Sequence, residues 1–157
     1  MKLSRAVTYA FYGLSYLARQ PRGRLVPLSE IHQHYGVPEK HLAKIFQGLV
    51  RAGFLSSARG VQGGFALARP ADRITPLEVI EAIEGPLDVG CLLIGEPCAH
   101  DVACRINAVW RKAQHAMISV LRSATLADMV QSRRFRPPRA RVRPQAGRLK
   151  LAVLREK

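Results

Sequence analysis

The feature that most restricts the fold is a glycine-rich turn, Arg59-Gly60-Val61-Gln62-Gly63-Gly64, between two short apolar segments. Gly adopts positive φ angles at little cost, so three glycines within five residues permit a tight and exposed reversal of the chain. The flanking segments, residues 54–58 and 65–68, predict two short strands. We therefore expect a two-stranded ribbon that carries a basic residue at its tip.

Two helices are predicted directly before this ribbon. Ser29 can cap a short helix that Gly36 ends. Pro38 can open the second helix, since its missing N–H costs nothing in the first turn, and Gly53 ends it. The second helix is apolar on one face and carries its polar side chains elsewhere: Glu39, Lys40, His41, Lys44, Gln47 and Arg51. Two helices followed by a ribbon are typical of a winged helix-turn-helix.

This order of elements predicts binding to double-stranded DNA. In such domains the second helix enters the major groove, and basic side chains of the wing contact phosphates or the minor groove. The residues expected to contact DNA lie on that helix and in the turn: Glu39, Lys40, His41, Lys44, Arg59, Gly60 and Gln62. The plainer interpretation is a solvated helix face and an ordinary turn, and the helix pair alone does not decide between the two.

Three further helices are predicted outside this unit. Apolar residues at three- and four-residue steps predict the first helix over residues 4–19, and Thr75-Pro76-Leu77-Glu78 is a capping box that opens another. A third, of about five turns, follows from a longer apolar stripe: Ile106, Val109, Trp110, Ala113, Met117, Val120 and Leu121. A small domain has little surface to cover such a stripe. We expect a second copy of the chain to cover it, with packing on the first helix as a compatible alternative.

The cysteines are confined to one segment. Cys91, Cys98 and Cys104 are the only three in the chain, and they lie within fourteen residues of each other. Thiolates on one loop suit a soft metal or an iron–sulfur cluster, because the loop can bring the sulfurs to one point. A second interpretation is a zinc- or thiol-based sensor, in which His100 would complete a Cys3His set. The absence of a short Cys-x2-Cys pair disfavours structural zinc.

Charge and composition limit the class of protein. The formal net charge is +14, and residues 133–157 hold ten Lys or Arg against one acid. This tail reads as a disordered basic arm with non-specific affinity for nucleic acid, or as a solvated extension without such a role. We find no membrane span or signal peptide and expect a cytoplasmic protein. We find no P-loop, no GxGxxG motif and no catalytic Ser/His/Asp arrangement, so we do not expect an enzyme.

Taken together, the chain resembles the bacterial iron–sulfur winged-helix transcriptional regulators typified by IscR, NsrR and RirA. The resemblance covers residues 1–130 and rests on MKLSRAVTYA, the helix pair, SSARGVQGGFALARP, ITPLEVIEAIEG and the cysteine triplet followed by Asn107-Ala108-Val109-Trp110. It implies a mainly α fold with a small β wing and a long dimerisation helix. It also implies a homodimeric regulator, in our interpretation a repressor, on a palindromic operator. Cys91, Cys98 and Cys104 would hold a cluster that senses iron, redox or nitric oxide status.

The chain departs from its relatives at the fourth cluster ligand. Relatives commonly use a His three residues after the last cysteine or an Asp near the partner chain's N-terminus, and the matching positions are Asn107 and Thr8. His100 and Asp101 could substitute but are more simply loop residues. His115 lies about 16 Å along the helix and is a poor candidate. The resemblance with these departures favours a labile 4Fe–4S cluster over a 2Fe–2S cluster, and it leaves open whether the loaded or the empty protein binds DNA.

We divide the chain into four parts on these grounds. Residues 1–86 form the winged helix-turn-helix, and residues 87–104 form the cysteine loop. Residues 105–132 hold the dimerisation helix and a short terminal helix, and residues 133–157 are the basic tail. A change in the loop would then alter the spacing of the two DNA-reading helices in a dimer.

Overall fold

A computed structural model describes residues 3–60, 63–87 and 104–131. In these residues the secondary-structure elements, in chain order, are α1 (Arg5–Ala18), α2 (Leu28–Tyr35), α3 (Glu39–Arg51), β1 (Leu55–Ala58), β2 (Gly64–Leu67), a 3-10 turn (Ala71–Arg73), α4 (Pro76–Glu84), α5 (Arg105–Ser123) and α6 (Leu126–Gln131). The two strands form one antiparallel sheet. This mainly helical fold with a two-stranded wing confirms the predicted fold class. None of the described helices has the length and apolar character needed to cross a membrane.

Helix α1 runs through the centre of the domain. Its N-cap is Ser4, whose hydroxyl accepts a hydrogen bond from the Val7 amide at 3.4 Å. Leu14 is fully buried, and a side chain at Gly13 would collide with the ring of Phe46 on α3. Glycine at this position therefore lets α1 and α3 pack at close range, and the predicted first helix is confirmed.

Helix α2 begins differently from our expectation. The residue before its first turn is Pro27, which makes no side-chain capping bond, and Ser29 lies inside the helix. The predicted Ser29 cap is therefore wrong. The reason is tertiary: Val26 is paired with Phe65 of β2, and this pairing fixes the chain so that the helix starts directly after Pro27. The end of the helix is as predicted, at Gly36 with a φ of 69°.

The wing is a short antiparallel ribbon joined to α3 by a tight turn. Gly53 has a φ of 77°, and the strands pair from Leu55 opposite Leu67 at the base to Ala58 opposite Gly64 near the tip. Strand β1 begins one residue later than predicted, and β2 begins and ends one residue earlier than predicted. A side chain on Gly64 would come within 2.6 Å of the Val26 backbone. Position 64 therefore requires glycine, because the segment before α2 approaches β2 closely there.

Helices α4 and α6 close the other side of the core. The predicted capping box at Thr75 is confirmed: the Thr75 hydroxyl accepts from the Glu78 amide at 3.2 Å, and Glu78 accepts in return from the Thr75 amide at 2.8 Å. Helix α6 returns to the domain after α5. The Leu126 amide donates to the carbonyl oxygen of Ile74 at 2.8 Å, and the Leu126 side chain is buried.

Candidate nucleic-acid interface

The solvent side of α3 is a single polar stripe. Lys40, Lys44, Gln47 and Arg51 are exposed and follow each other at steps of four, three and four residues, so they share one face of the helix. The stripe extends about 16 Å along the axis. On the opposite side, Phe46 and other apolar residues are buried in the core. This face can lie along a groove of DNA and meet both phosphates and base edges.

The predicted contact residues on α3 occupy two regions. Lys40 and Lys44 lie on the stripe, and Glu39 is exposed at the first position of the helix. His41 is also exposed but lies beside Tyr9 of α1, with ring centroids 6.4 Å apart. It therefore stands at the edge of the face, next to α1. Gln47 and Arg51 were not among the predicted contact residues, although their helical phase, the same as that of Lys44, is the signal that identifies them.

The wing tip is exposed and is closed by its glycines. Arg59 and Gly60 are both exposed, and Gly60 has a φ of 113°, which favours glycine. The Gly63 amide donates to the Gly60 carbonyl at 2.9 Å and closes the turn. Gln62, another predicted contact residue, lies outside the described residues. Arg59 directly follows β1, so an exposed arginine stands at the tip end of the ribbon.

The start of α2 lies beside the tip half of the wing. Val26 pairs antiparallel with Phe65, and β2 runs from the tip toward the base. The chain at Val26 therefore runs toward the tip, and α2 begins two residues later. The first amides of a helix favour anions through their N–H groups and the helix dipole. The start of α2 and the wing are therefore neighbours in the fold, and the first turn of α2 also carries the acidic Glu30.

Aromatic and charged side chains hold α2 against α1. The Tyr16 hydroxyl donates to Glu30 Oε1 at 2.6 Å, and this bond, with burial, raises the pKa of Tyr16. Glu30 Oε2 accepts from Arg24 at 3.0 Å. The ring of Tyr35 stacks on Tyr12 with centroids 5.4 Å apart, and burial raises the pKa of Tyr35. These contacts fix the angle between α1 and the helix pair, so the polar stripe of α3 is presented on a rigid support.

One of the three predicted cluster ligands lies in the described residues. Cys104 is half-buried at the position just before α5, and its side chain makes no capping hydrogen bond to the helix. Cys91 and Cys98 lie outside the described residues, as do His100 and Asp101. Within the described ranges, no group of three or more His, Cys, Asp or Glu side chains could hold a metal ion.

The two family positions for a fourth ligand lie on α1 and α5. Thr8 is exposed on α1, where its hydroxyl donates to the Ser4 carbonyl at 3.4 Å. Asn107 is buried on the inward side of α5 and is only 4% exposed. His115 is exposed further along the same helix.

Helix α5 carries an exposed apolar face. Ile106, Val109 and Val120 are 55%, 70% and 65% exposed, and the exposed Ala113 and Ala116 continue the same three- and four-residue steps. This is the a/d spacing of a coiled-coil seam. The other large members of the predicted stripe are half-buried on a second face nearer to Asn107: Trp110, Met117 and Leu121. The single predicted stripe therefore divides into an inward face and an outward face.

Comparison with known proteins assigns the chain to a family. The model of the Rrf2 family, described as iron-dependent transcriptional regulators, matches residues 3–132. The chain belongs to the Rrf2 family. The recognised resemblance is thereby confirmed, and the protein is a transcriptional regulator of a family that binds DNA, is typically dimeric and is not composed of enzymes.

Solved Rrf2-type structures share the fold over most of this chain. CymR of B. subtilis, called its global cysteine regulator, is 29% identical with a TM-score of 0.69, and the alignment covers 83% of this chain and 96% of CymR. IscR of T. potens is 30% identical with a TM-score of 0.59, over 83% and 86% of the two chains. An oxidized form of S. aureus CymR is 25% identical with a TM-score of 0.66, over 83% and 97%.

Proposed function

We propose that this Rrf2 protein is a repressor that binds a palindromic operator as a homodimer and whose affinity is switched through Cys91, Cys98 and Cys104. The observation that carries the DNA-binding part is that two exposed basic features lie on elements that pack against each other. The exposed stripe of α3 and the wing tip with Arg59 belong to one rigid unit, since the ribbon follows α3 after a single tight turn. We assign Lys40 and Lys44 to the major groove and Arg59 to the minor groove or a phosphate.

The exposed face of α5 supports the dimer. Large apolar side chains that are 55–70% exposed are unfavourable in water, and their a/d spacing suits pairing with an identical helix. Two copies related by a twofold axis would present two α3 helices, and the operator would then carry two inverted half-sites. Ala113 and Ala116 in the middle of the seam permit close approach of the two helices.

The position of Cys104 supports a switch in this part of the chain. Cys104 immediately precedes α5, and α5 packs against α4, so the cysteine stands where the dimer helix leaves the DNA-binding domain. Its thiol does not cap the helix, which leaves the sulfur able to act as a ligand. With Cys91 and Cys98 it would supply three thiolates to an iron–sulfur cluster, and such a cluster brings sensitivity to iron supply and oxidants.

A thiol-based switch without a cluster is the alternative. The similarity to CymR, one of whose structures is of an oxidized form, favours it as a second candidate. In this alternative two of the three cysteines would form a disulfide on oxidation, and the third would stay reduced. Both candidates place the change in the segment between α4 and α5, and they differ in what is bound there.

The deciding experiment is anaerobic purification followed by iron, sulfide and zinc assays and gel-shift titrations. Brown protein with iron and sulfide, and an operator affinity that changes when the cluster is removed, is the expected result. Colourless protein whose affinity changes only with thiol oxidation would favour the alternative. Colourless protein with one bound zinc would instead support a zinc site. An affinity that no treatment changes would contradict a switch of either kind.

A further inference from the structure

Arg69 lies where the wing, the end of α3 and the start of α4 meet. It follows β2 by two residues, and its guanidinium carbon stands 4.6 Å above the centre of the Phe54 ring. Its Nη1 donates to Glu78 Oε1 at 3.1 Å. A planar guanidinium can stack on an aromatic face and bind a carboxylate at the same time, which a lysine ammonium does less well. The side chain therefore connects two different elements.

The carboxylate that binds Arg69 is itself fixed in place. Glu78 Oε2 accepts from both the amide and the hydroxyl of Thr75, at 2.8 and 2.9 Å, in the capping box of α4. Its other oxygen, Oε1, accepts from Arg69. Each oxygen has a separate partner, so Arg69 is linked to the first turn of α4 by an ion pair whose side chains are 36% and 40% exposed.

Phe54, the aromatic partner, is the joint between α3 and the wing. Its amide donates to the Leu49 carbonyl in the last turns of α3 at 2.9 Å. Its carbonyl accepts from the Ala68 amide at 3.0 Å, directly after the other strand of the ribbon. Arg69 thus contacts Phe54 at this joint and Glu78 at the start of α4.

Helix α4 is also held at its other end. The amide of Ser4, the N-cap of α1, donates to Glu84 Oε1 at 2.6 Å. Helix α4 packs against α1, α3 and α5. A displacement of α4 would therefore act on two polar contacts. One joins Glu84 to Ser4 at the start of α1, and the other joins Glu78 to Arg69 beside the wing.

We propose that Arg69 is a positioning residue: it orients the wing against α4, so that the contact of Arg59 with DNA depends on the ion pair between Arg69 and Glu78. The inference rests on the proposed DNA-binding function. Arg59 and Arg69 are at opposite ends of the ribbon, separated by about 10 Å or more along the strands. Substitutions at such a distance are additive when the sites are independent, so a departure from additivity reports the coupling.

The experiment is a double-mutant cycle on the full chain. Arg59→Ala, Arg69→Ala and the double variant are titrated against a duplex that the wild type selects from a random library. Arg59→Ala should weaken binding by roughly 5- to 150-fold in the wild-type background. In the Arg69→Ala background the same change should weaken binding less than about threefold, because the tip is no longer held at the DNA.

Two further variants separate positioning from loss of charge or loss of folding. Arg73→Ala removes an exposed arginine four residues away, and in its background the cost of Arg59→Ala should be unchanged. Arg69→Lys keeps the charge and a possible ion pair but loses the planar stack. In its background, Arg59→Ala should weaken DNA binding more than it does in the Arg69→Ala background and less than in the wild type. If Arg69→Ala does not give a wild-type circular dichroism spectrum, the cycle is run with Arg69→Lys. Arg59→Ala is still expected to cost less DNA affinity in that background than in the wild type.

The outcomes separate the two proposals. If Arg59→Ala weakens DNA binding by the same factor in the wild type and in the Arg69 variants, the positioning role is overturned and the DNA-binding function is left intact. A wild type that selects no duplex, or an Arg59→Ala variant that binds like the wild type, would overturn the proposed DNA interface itself and the positioning role with it.

Discussion

The Nδ1 atom of His32 lies 2.9 Å from the carbonyl oxygen of Val37, across the turn that joins α2 to α3. Val37 is fully buried, so its carbonyl oxygen has no access to water and gains from a hydrogen-bond partner within the protein. The imidazole therefore joins α2 to the turn before α3 by a side-chain bond, in addition to the apolar packing of the two helices.

His32→Ala should lower the free energy of unfolding by about 1 kcal/mol, the usual net contribution of one hydrogen bond. Urea unfolding followed by circular dichroism measures it. Gln33→Ala is the matched control, because Gln33 is exposed on the same helix and its removal should change stability by less than about 0.5 kcal/mol. Equal losses in the two variants would show that the bond to Val37 is not stabilising.

The α3 stripe should bind DNA by different kinds of contact along its length. Lys44→Ala and Gln47→Ala should each weaken operator binding by about 1–3 kcal/mol if they read base edges, and should relax the preference at one position of the half-site. Arg51→Ala should weaken binding to all sequences and reduce the salt slope by about 1, as expected for a phosphate contact. Fluorescence anisotropy at several salt concentrations measures both effects.

The control for the stripe is Lys112→Ala, which removes one exposed positive charge from α5. It should leave both the sequence preference and the salt slope close to those of the wild type. Wild-type affinity and slope in all three α3 variants would exclude this face as the DNA-reading surface.

Val109→Asp should separate the dimer. Val109 is 70% exposed in the single chain, and a carboxylate at this point would be desolvated and face its own copy across a twofold seam. Sedimentation velocity should show a monomer at micromolar concentrations, with a retained helical spectrum. His115→Asp places the same charge on another side of α5 and should remain dimeric. A dimeric Val109→Asp protein would place the interface elsewhere.

The capping box of α4 should make stability depend on pH in the acid range. Burial tends to raise the pKa of Glu78, but hydrogen bonds from Thr75 and the charge of Arg69 outweigh it and hold the pKa below 4.5. Stability from this carboxylate is therefore fully present above pH 4.5 and is lost as the pH falls through the lowered value.

Glu78→Gln should reduce this loss of stability between neutral and acid pH, measured by urea midpoints at a series of pH values. Glu81→Gln, an exposed position of the same helix, should keep the wild-type profile. An identical acid profile in Glu78→Gln would mean that the stability lost on acidification comes from other groups.

The three cysteines should be individually necessary for the switch. Replacement of Cys91, Cys98 or Cys104 by Ala should abolish the visible absorption of a cluster and fix operator affinity at one value, whatever the redox treatment. Each variant should keep its fold, because α1 to α4 pack without Cys104. His100→Ala, Asp101→Ala and Asn107→Ala should have milder effects on absorption. A full cluster in any cysteine variant would contradict three thiolate ligands.

Local chemistry was the part of the fold that could be predicted from the sequence. Thr75 and Glu78 form their capping box because both partners lie within one turn, and Gly36 ends α2 because the positive φ is a local requirement. Ser29 did not become a cap, because pairing of Val26 with Phe65, far apart in the chain, sets the start of α2. The contact of Arg69 with Glu78 likewise depends on the packing of the wing against α4.

The candidate site shows the same difference between features that depend on local sequence and features that depend on tertiary packing. Helical phase placed Lys40 and Lys44 on the outer face of α3, and the glycines placed Arg59 at the tip, because these depend on short stretches of chain. Periodicity found the apolar stripe of α5 but could not divide it, since the side that faces the domain is decided by α4. The DNA contacts, the ligand of Cys104 and the roles of Cys91 and Cys98 stay predictions.

The bond from the Leu126 amide to the Ile74 carbonyl, with Asn107 buried near the start of α5, attaches the long helix to its own domain near both of its ends. A dimer built on this helix would then hold each DNA-binding domain at two points along α5. Inserting one base pair between the half-sites rotates one of them by about 34° around the DNA axis. The two attachments oppose such a rotation, so we expect the spacing of the half-sites, as well as their sequence, to be restricted by the protein.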